Sequence, residues 1–428
     1  MIGSRSLSRF VPRMDRDGKI IIIASAIRTL DYGFLSVFLG VYLSLLDFTA
    51  LQAGMVFSGI MAGSALSNLV AGWQGDAIGR RRLLVSLSVM MVVGGLLFPW
   101  ASSVWVLMLI GLFAVTTSSG GDRTAFISMD TAILAQTCEP SQRTLTFSWY
   151  NLVSIFTKAT GALLVSVPVI LQAWAGMEEV ASFKAMFAVY AVLALSGVAL
   201  YGRLSPNVEP PVQSAGSNRL GRSSADRKLI MKMTALSSLD AFGGGFVARG
   251  FISYWFVSRF GMDVVSVSGV FFAAQMLNVV SVAFASPVAS RIGLVNTMAF
   301  SQAIANVLFI AMAFASNLWM AVLFFFLHEL SNDMDVPTRQ SYTMAIVPQE
   351  SRTAMATLNN LGRNAAQVVS PTIGGLVAQV AFIGAPFLAG AAVKLVYNYM
   401  LYQMFKGIKA PEESEEIATD TAEEPAGD

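Results

Sequence analysis

The 428 residues contain one cysteine and one histidine. A lone thiol, Cys138, closes no disulfide within the chain, and one histidine with one cysteine leaves hydrolytic or redox metal centres short of their usual ligands. The run His328-Glu329-Leu330-Ser331-Asn332 begins as a zinc-protease helix would but lacks the second histidine. Charge is scarce too. Asp, Glu, Lys and Arg make up 13% of the chain, against the roughly 25% of soluble domains. No Gly-x-x-x-x-Gly-Lys phosphate loop occurs, so ATP cannot drive the protein through a domain of its own. These absences point away from an enzyme, from a bound cofactor and from a nucleic-acid partner.

Apolar residues fill the space that charge leaves, at 55% of the chain and a mean hydropathy of +0.63. Runs of about 20 apolar residues suffice to cross a bilayer. They predict an all-α, polytopic membrane protein of twelve spans, near 20–46, 50–72, 83–101, 104–134, 144–170, 182–203, 229–258, 265–285, 294–314, 318–347, 353–379 and 382–405. A Pro, Gly and Ser-rich linker, 204–227, separates a first half, 1–203, from a second, 228–405. The tail, 406–428, carries eight acids after Pro411 and no base there, which suits a solvated, disordered segment.

Orientation follows from the bases. Of 28 lysines and arginines, 18 fall at the N-terminus, the linker and the other connections of one side, 2 (Lys184 and Arg259) on the opposite side, and 8 within spans. Positive charge stays on the cytoplasmic side, so both termini and the linker are expected there, in a bacterial or archaeal inner membrane. The basic N-terminus runs into the first span without a small-residue cleavage site, as an anchor does.

The halves repeat at a shift of 209 residues: Ala26, Leu30 and Asp31 recur as Ala235, Leu239 and Asp240, and Arg143, Thr144, Asn151 and Leu152 as Arg352, Thr353, Asn360 and Leu361. Each charge within a span costs about 2.5–3.5 kcal/mol unless paired or wet, so the acids there mark candidate sites. They fall on spans 1, 4, 7 and 10: Asp31; Asp122 and Asp130; Asp240; Glu329, Asp333 and Asp335. Arg28, three residues from Asp31, is expected to neutralise it. Arg123 and Asp130 stand about 10 Å apart along a helix, too far to pair. On span 10, His328, Asn332, Asp335 and Arg339 fall within about 60° of one another, flanked by Glu329 and Asp333. That stripe is expected to face a cavity, with Arg339 pairing with Asp130. His328, Glu329, Asp333 and Asp335 would be the ligands of any cation carried. Gly120 with Gly121, and Gly243, Gly244 and Gly245, are expected either to break spans 4 and 7 or to permit close packing.

Between spans 2 and 3 stands Gly72-Trp73-Gln74-Gly75-Asp76-Ala77-Ile78-Gly79-Arg80-Arg81-Arg82-Leu83-Leu84. Its spacing, Gly-x-x-x-Asp-x-x-Gly-Arg-Arg-x-x-Leu, resembles the signature of the major facilitator superfamily, with Gln74 and Gly75 replacing the usual small apolar pair. A decayed copy puts Ser286, Ser290 and Gly293 where Gly72, Asp76 and Gly79 stand. The resemblance implies two six-helix bundles with a site at the midplane and spans 1, 4, 7 and 10 lining the cavity. It implies too a cytoplasmic gate formed by Gly72, Asp76, Gly79, Arg80 and Arg81. Glu139 with Arg143 and Glu350 with Arg352 resemble the family's acidic-basic loop pairs. The activity implied is secondary transport of a small molecule or ion by a monomer in the lipid bilayer, without ATP. Size, helix plan and acidic tail are also similar to those of magnetosome-membrane major facilitator proteins, which makes iron a candidate cargo. The alternatives are a proton-coupled exporter of small organic compounds, with Asp31, Asp130 or Asp335 as proton carrier, and a membrane scaffold recruiting partners through its tail.

Overall fold

The computed structural model describes residues 14–113, 124–139, 142–209, 224–336, 338–339 and 352–405. Described elements are α1 (Arg16–Leu45), α2 (Ala50–Ile78), α3 (Arg80–Leu97), α4 (Val104–Phe113), α5 (Ala125–Thr137), α6 (Arg143–Leu163), α7 (Val167–Ala175), α8 (Glu179–Tyr201), α9 (Ser224–Gly245), α10 (Arg249–Phe260), α11 (Val264–Ile292), α12 (Leu294–Ala313), α13 (Leu318–Asn332), α14 (Arg352–Val380) and α15 (Ala385–Phe405). The all-α expectation holds. Among the described residues, seven stretches are long and apolar enough to cross a membrane: Arg16–Leu45, Ala50–Gly72, Arg80–Trp100, Leu145–Ala175, Glu179–Tyr201, Val264–Ala285 and Leu294–Ala313. Trp100, Trp105, Trp174 and Trp319 are exposed at helix ends, where an indole sits well at a bilayer boundary.

Helix ends follow local chemistry. The Asp15 carboxylate accepts from Gly18 N at 2.7 Å to cap α1, and the Asn317 side chain accepts from Met320 N at 3.0 Å to cap α13. Gly79 (φ +91°) and Gly293 (φ +84°) stand directly before α3 and α12. Other residues rarely adopt that region, so the repeated motif reappears as a repeated turn. The seventh expected span breaks after Gly245, where α9 ends and α10 begins at Arg249. Span 5 passes through a 3₁₀ turn, Leu164–Ser166, before α7, whose second residue is Pro168. Span 10 departs from expectation: α13 stops at Asn332 and Asp333 ends the helix, with Val336 N donating to Asp333 O at 3.2 Å.

The chain forms two compact units. One comprises Met1–Gly216, Gly245–Gln275 and Gln367–Pro386, and the other Ser217–Gly244, Met276–Ala366 and Phe387–Asp428. In the first, α1 lies against α6 closely enough that a Cβ on Gly33 would collide with the Lys158 carbonyl. Thr29 and Thr157 hydroxyls meet there at 2.7 Å. Small residues are what bring helices together in lipid, which has no hydrophobic preference to supply. Phe38, Tyr42, Phe98, Phe183 and Phe187 pack ring to ring beside this contact. The second unit is centred on Ile230, Met233, Leu236, Met298, Met355, Tyr397, Leu401 and Phe405.

Candidate functional site

Arg28 does not neutralise Asp31. Its guanidinium reaches from α1 to α5 and binds Asp130 at 2.7 Å, with side-chain exposures of 4% and 0%. It also donates to the Tyr201 hydroxyl and lies 4.6 Å from the Phe126 ring centroid. Tyr150 donates to the same carboxylate at 3.2 Å. Arg28 has the longer reach, and a face crowded by a neighbouring helix favours a partner across the contact over one a turn away. Asp130 pairs with Arg28 inside the first unit, and Arg339 pairs with Asp240 and Asp335 inside the second. Asp31 is left fully buried with neither carboxylate oxygen hydrogen bonded.

Its repeat partner is the opposite case. Asp240, on α9, receives Arg339 at 2.8 Å and Arg363 at 3.0 Å on one oxygen, with Lys394 3.9 Å from the other. Arg339 also lies 3.4 Å from Asp335. Arg363 donates to Ser237 O at 3.3 Å, and Lys394 to Asn332 Oδ1 at 3.4 Å. Arg363 and Lys394 were visible in the sequence as bases within spans, yet nothing in their spacing tied them to Asp240. A shift of 209 residues carries Asp130 onto Arg339. Two ion pairs thus occupy positions related by that shift, Arg28 to Asp130 and Asp240 to Arg339, with the signs exchanged.

The span-10 stripe does not survive as one face. The turn at Asp333 separates His328 from Asp335 and Arg339. His328 is buried, its Nδ1 is 3.0 Å from Ala305 O and its ring stacks on Phe309 at 3.5 Å between centroids. Asp333 accepts from Asn278 and Asn332, each at 2.6 Å. Glu329 is buried. Among the described residues no group of three or more His, Cys, Asp or Glu side chains is placed to hold a metal ion, so the set His328, Glu329, Asp333 and Asp335 is not assembled. Asp122, Arg123, Gly120, Gly121 and Glu350 lie outside the described residues, as do the side chains of Asp76, Arg143 and Arg352. Glu139 is exposed.

At the motif between α2 and α3, the side chain that acts is one the sequence did not single out. Glu209, just past α8, accepts from Arg80 N at 2.6 Å and Arg81 N at 3.2 Å. It places a carboxylate on the positive end of α3. Arg80 and Arg81 in turn donate to Val208 O at 3.3 Å and Gly202 O at 2.5 Å. Asp17 accepts from Ser205 N at 3.1 Å and from its hydroxyl, so the start of the linker is tied to α1 and α3. Around Gly72 the space where a Cβ would sit is open.

Within the first unit, α10 closes onto α1. A Cβ on Gly40 would strike the Gly250 carbonyl and the Ser253 hydroxyl. Ser253 donates to Val37 O at 2.8 Å, Tyr254 to Phe48 O at 2.8 Å, and the Ser44 and Ser258 hydroxyls meet at 3.1 Å. Alongside, the Thr372 N–H and hydroxyl of α14 reach Ser58 of α2 at 3.1 and 2.7 Å. This seam holds the ends of α1 and α2 distant from the Glu209 latch.

The chain is 24% identical over 428 residues to an uncharacterized membrane protein of Saccharomyces cerevisiae, covering 92% of this chain and 95% of that one. Among solved structures, the POT family transporter PepTSo is similar at a TM-score of 0.72 and 13% identity, covering 92% of this chain and 99% of that one. The nucleoside transporter NupG is similar at 0.68 and 14%, covering 92% and 100%. Identities so low establish a shared fold and nothing finer, and none of these likenesses supports iron. The profile of the Major Facilitator Superfamily matches residues 21–327 and 234–426. The chain, an integral membrane protein, therefore belongs to the Major Facilitator Superfamily.

Proposed function

We propose that this protein is a proton-coupled transporter of small organic compounds, with twelve spans in two halves, the termini and linker on the cytoplasmic side, and alternating access as its mechanism. The observation that carries the reading is Asp31, a carboxyl at full burial with both oxygens unpartnered, in contrast to Asp130 and Asp240. An ionised carboxylate so placed costs several kcal/mol; a proton removes that cost, and opening the protein to water lets it leave. Arg28 and Asp130 satisfy each other, so they hold α1 to α5 rather than carry protons. The other ionisable side chains on the elements packed against α1 include Lys158, Lys184 and Arg249. The described bonds across the seam of α1 with α10 and α2 with α14 are made by neutral hydroxyls and backbone groups, which water can replace when the contact parts.

The metal-cation reading is weaker on this chain, because the charged cluster around Asp240 is basic and His328 is a packed core residue. The scaffold reading gains support from no described contact.

The test uses proteoliposomes and a panel of small organic compounds alongside ferrous iron. Wild type should accumulate at least one organic compound down an imposed pH gradient. Asp31→Asn should keep counterflow exchange of that compound while losing gradient-driven accumulation. Full accumulation by Asp31→Asn removes Asp31 from coupling, and uptake of iron alone replaces the organic substrate.

A further inference from the structure

We infer that the basic cluster of the second unit receives an anionic group, a carboxylate or a phosphate, carried by the substrate; this rests on the transporter reading above. Arg339, Arg363 and Lys394 come from three different segments to one carboxylate, Asp240, and the one other acid ion-paired with any of them among the described residues is Asp335. Three positive charges thus share two negative ones. Between α1 and α5, by comparison, the Arg28–Asp130 ion pair balances one charge against one, whereas the described ion pairs of the second unit leave one positive charge over.

Exposure points the same way. The side chains of Arg339 and Arg363 remain 17% and 14% exposed, whereas the Asp335 side chain is 2% exposed. The two arginines thus keep part of their side chains accessible while both carboxylates are covered, the arrangement that accepts an anion from outside. Planar guanidinium groups engage carboxylate or phosphate through paired N–H donors. Asp335 lies 3.4 Å from Arg339, a looser contact than the 2.8 Å that Arg339 makes to Asp240, so the Asp335 side of the guanidinium is the one open to a ligand. The neighbouring acids are Glu329, buried on α13, and Asp333, whose oxygens accept from Asn278 and Asn332.

Thermal unfolding of the lipid-free purified protein tests this, with benzoate, benzamide and inorganic phosphate as probes and sodium chloride at matched ionic strength as reference. Benzoate or phosphate should raise the melting temperature above the reference while benzamide does not, and which anion acts decides between carboxylate and phosphate. Lys394→Gln, which removes the surplus charge, should weaken the apparent affinity about tenfold, the scale of a lost charge-assisted hydrogen bond. Arg363→Gln serves where Lys394→Gln does not fold. Lys184→Gln, on α8, should bind as wild type does. Absence of stabilisation by both anions overturns the inference, as does equal stabilisation of wild type and the cluster variants. Gradient-driven transport of a neutral compound in that case leaves the transporter reading standing, whereas loss of all transport sinks that reading itself.

Discussion

At the scale of single residues, the protein treats its buried carboxylates in three ways: Asp130 is paired with Arg28, Asp240 is shared by three bases, and neither oxygen of Asp31 is hydrogen bonded. The sealed pair makes a strong statement about stability. Removing one member of a buried ion pair leaves the other charge uncompensated, at about 3–5 kcal/mol. Arg28→Ala is expected to lower unfolding stability by about that amount. Arg28→Ala with Asp130→Ala should cost clearly less than the two singles added, because the pair is removed as a unit. Additive losses in a double-mutant cycle would mean that the pair is not the interaction being lost. The sequence showed which residues matter at this scale, since a charge in an apolar run cannot hide. Partners were not legible. Spacing along one helix suggested Arg28 with Asp31, whereas helix packing chose Asp130, 102 residues along the chain in α5.

Elements were legible where backbone chemistry is local. The glycine repeat at 79 and 293 reappears as two positive-φ turns, and the triplet Gly243 to Gly245 forms the last turn of α9, closely packed at Gly243 and Gly245, directly before the break that precedes α10. Span 10 is predicted as one helix because apolar residues recur past Asn332, whereas α13 ends there and the Asn278 and Asn332 amides bind Asp333 just beyond it. Glu209 escaped notice because a linker acid reveals no partner until the chain folds back onto α3. Two glycines of one motif should now separate experimentally. Gly79→Ala forces a side chain into a left-handed conformation and against Glu209, for an expected loss of about 1–3 kcal/mol. Gly72→Ala, with open space around it, should leave stability unchanged or raise it by up to about 1 kcal/mol. Chemical unfolding of both variants checks the contrast, and equal losses would place the motif's demand elsewhere than in the turn.

For the molecule as a whole, composition alone was enough to assign a polytopic membrane protein, and one loop motif was enough to assign the family. Neither contains the substrate, which depends on side chains that converge from distant segments. The seam between α1 and α10 is where the transport account can be tested most directly, because alternating access requires it to part. Ser44 and Ser258 touch across it at 3.1 Å, and Cys138 is the sole native thiol. In a Cys138→Ser background, Ser44→Cys with Ser258→Cys should be joined by mild oxidation or a short thiol-reactive bridge. The account predicts that the joined protein, reconstituted in liposomes, stops moving the compound that wild type transports and recovers when reductant breaks the disulfide. Undiminished transport by fully bridged protein would contradict it.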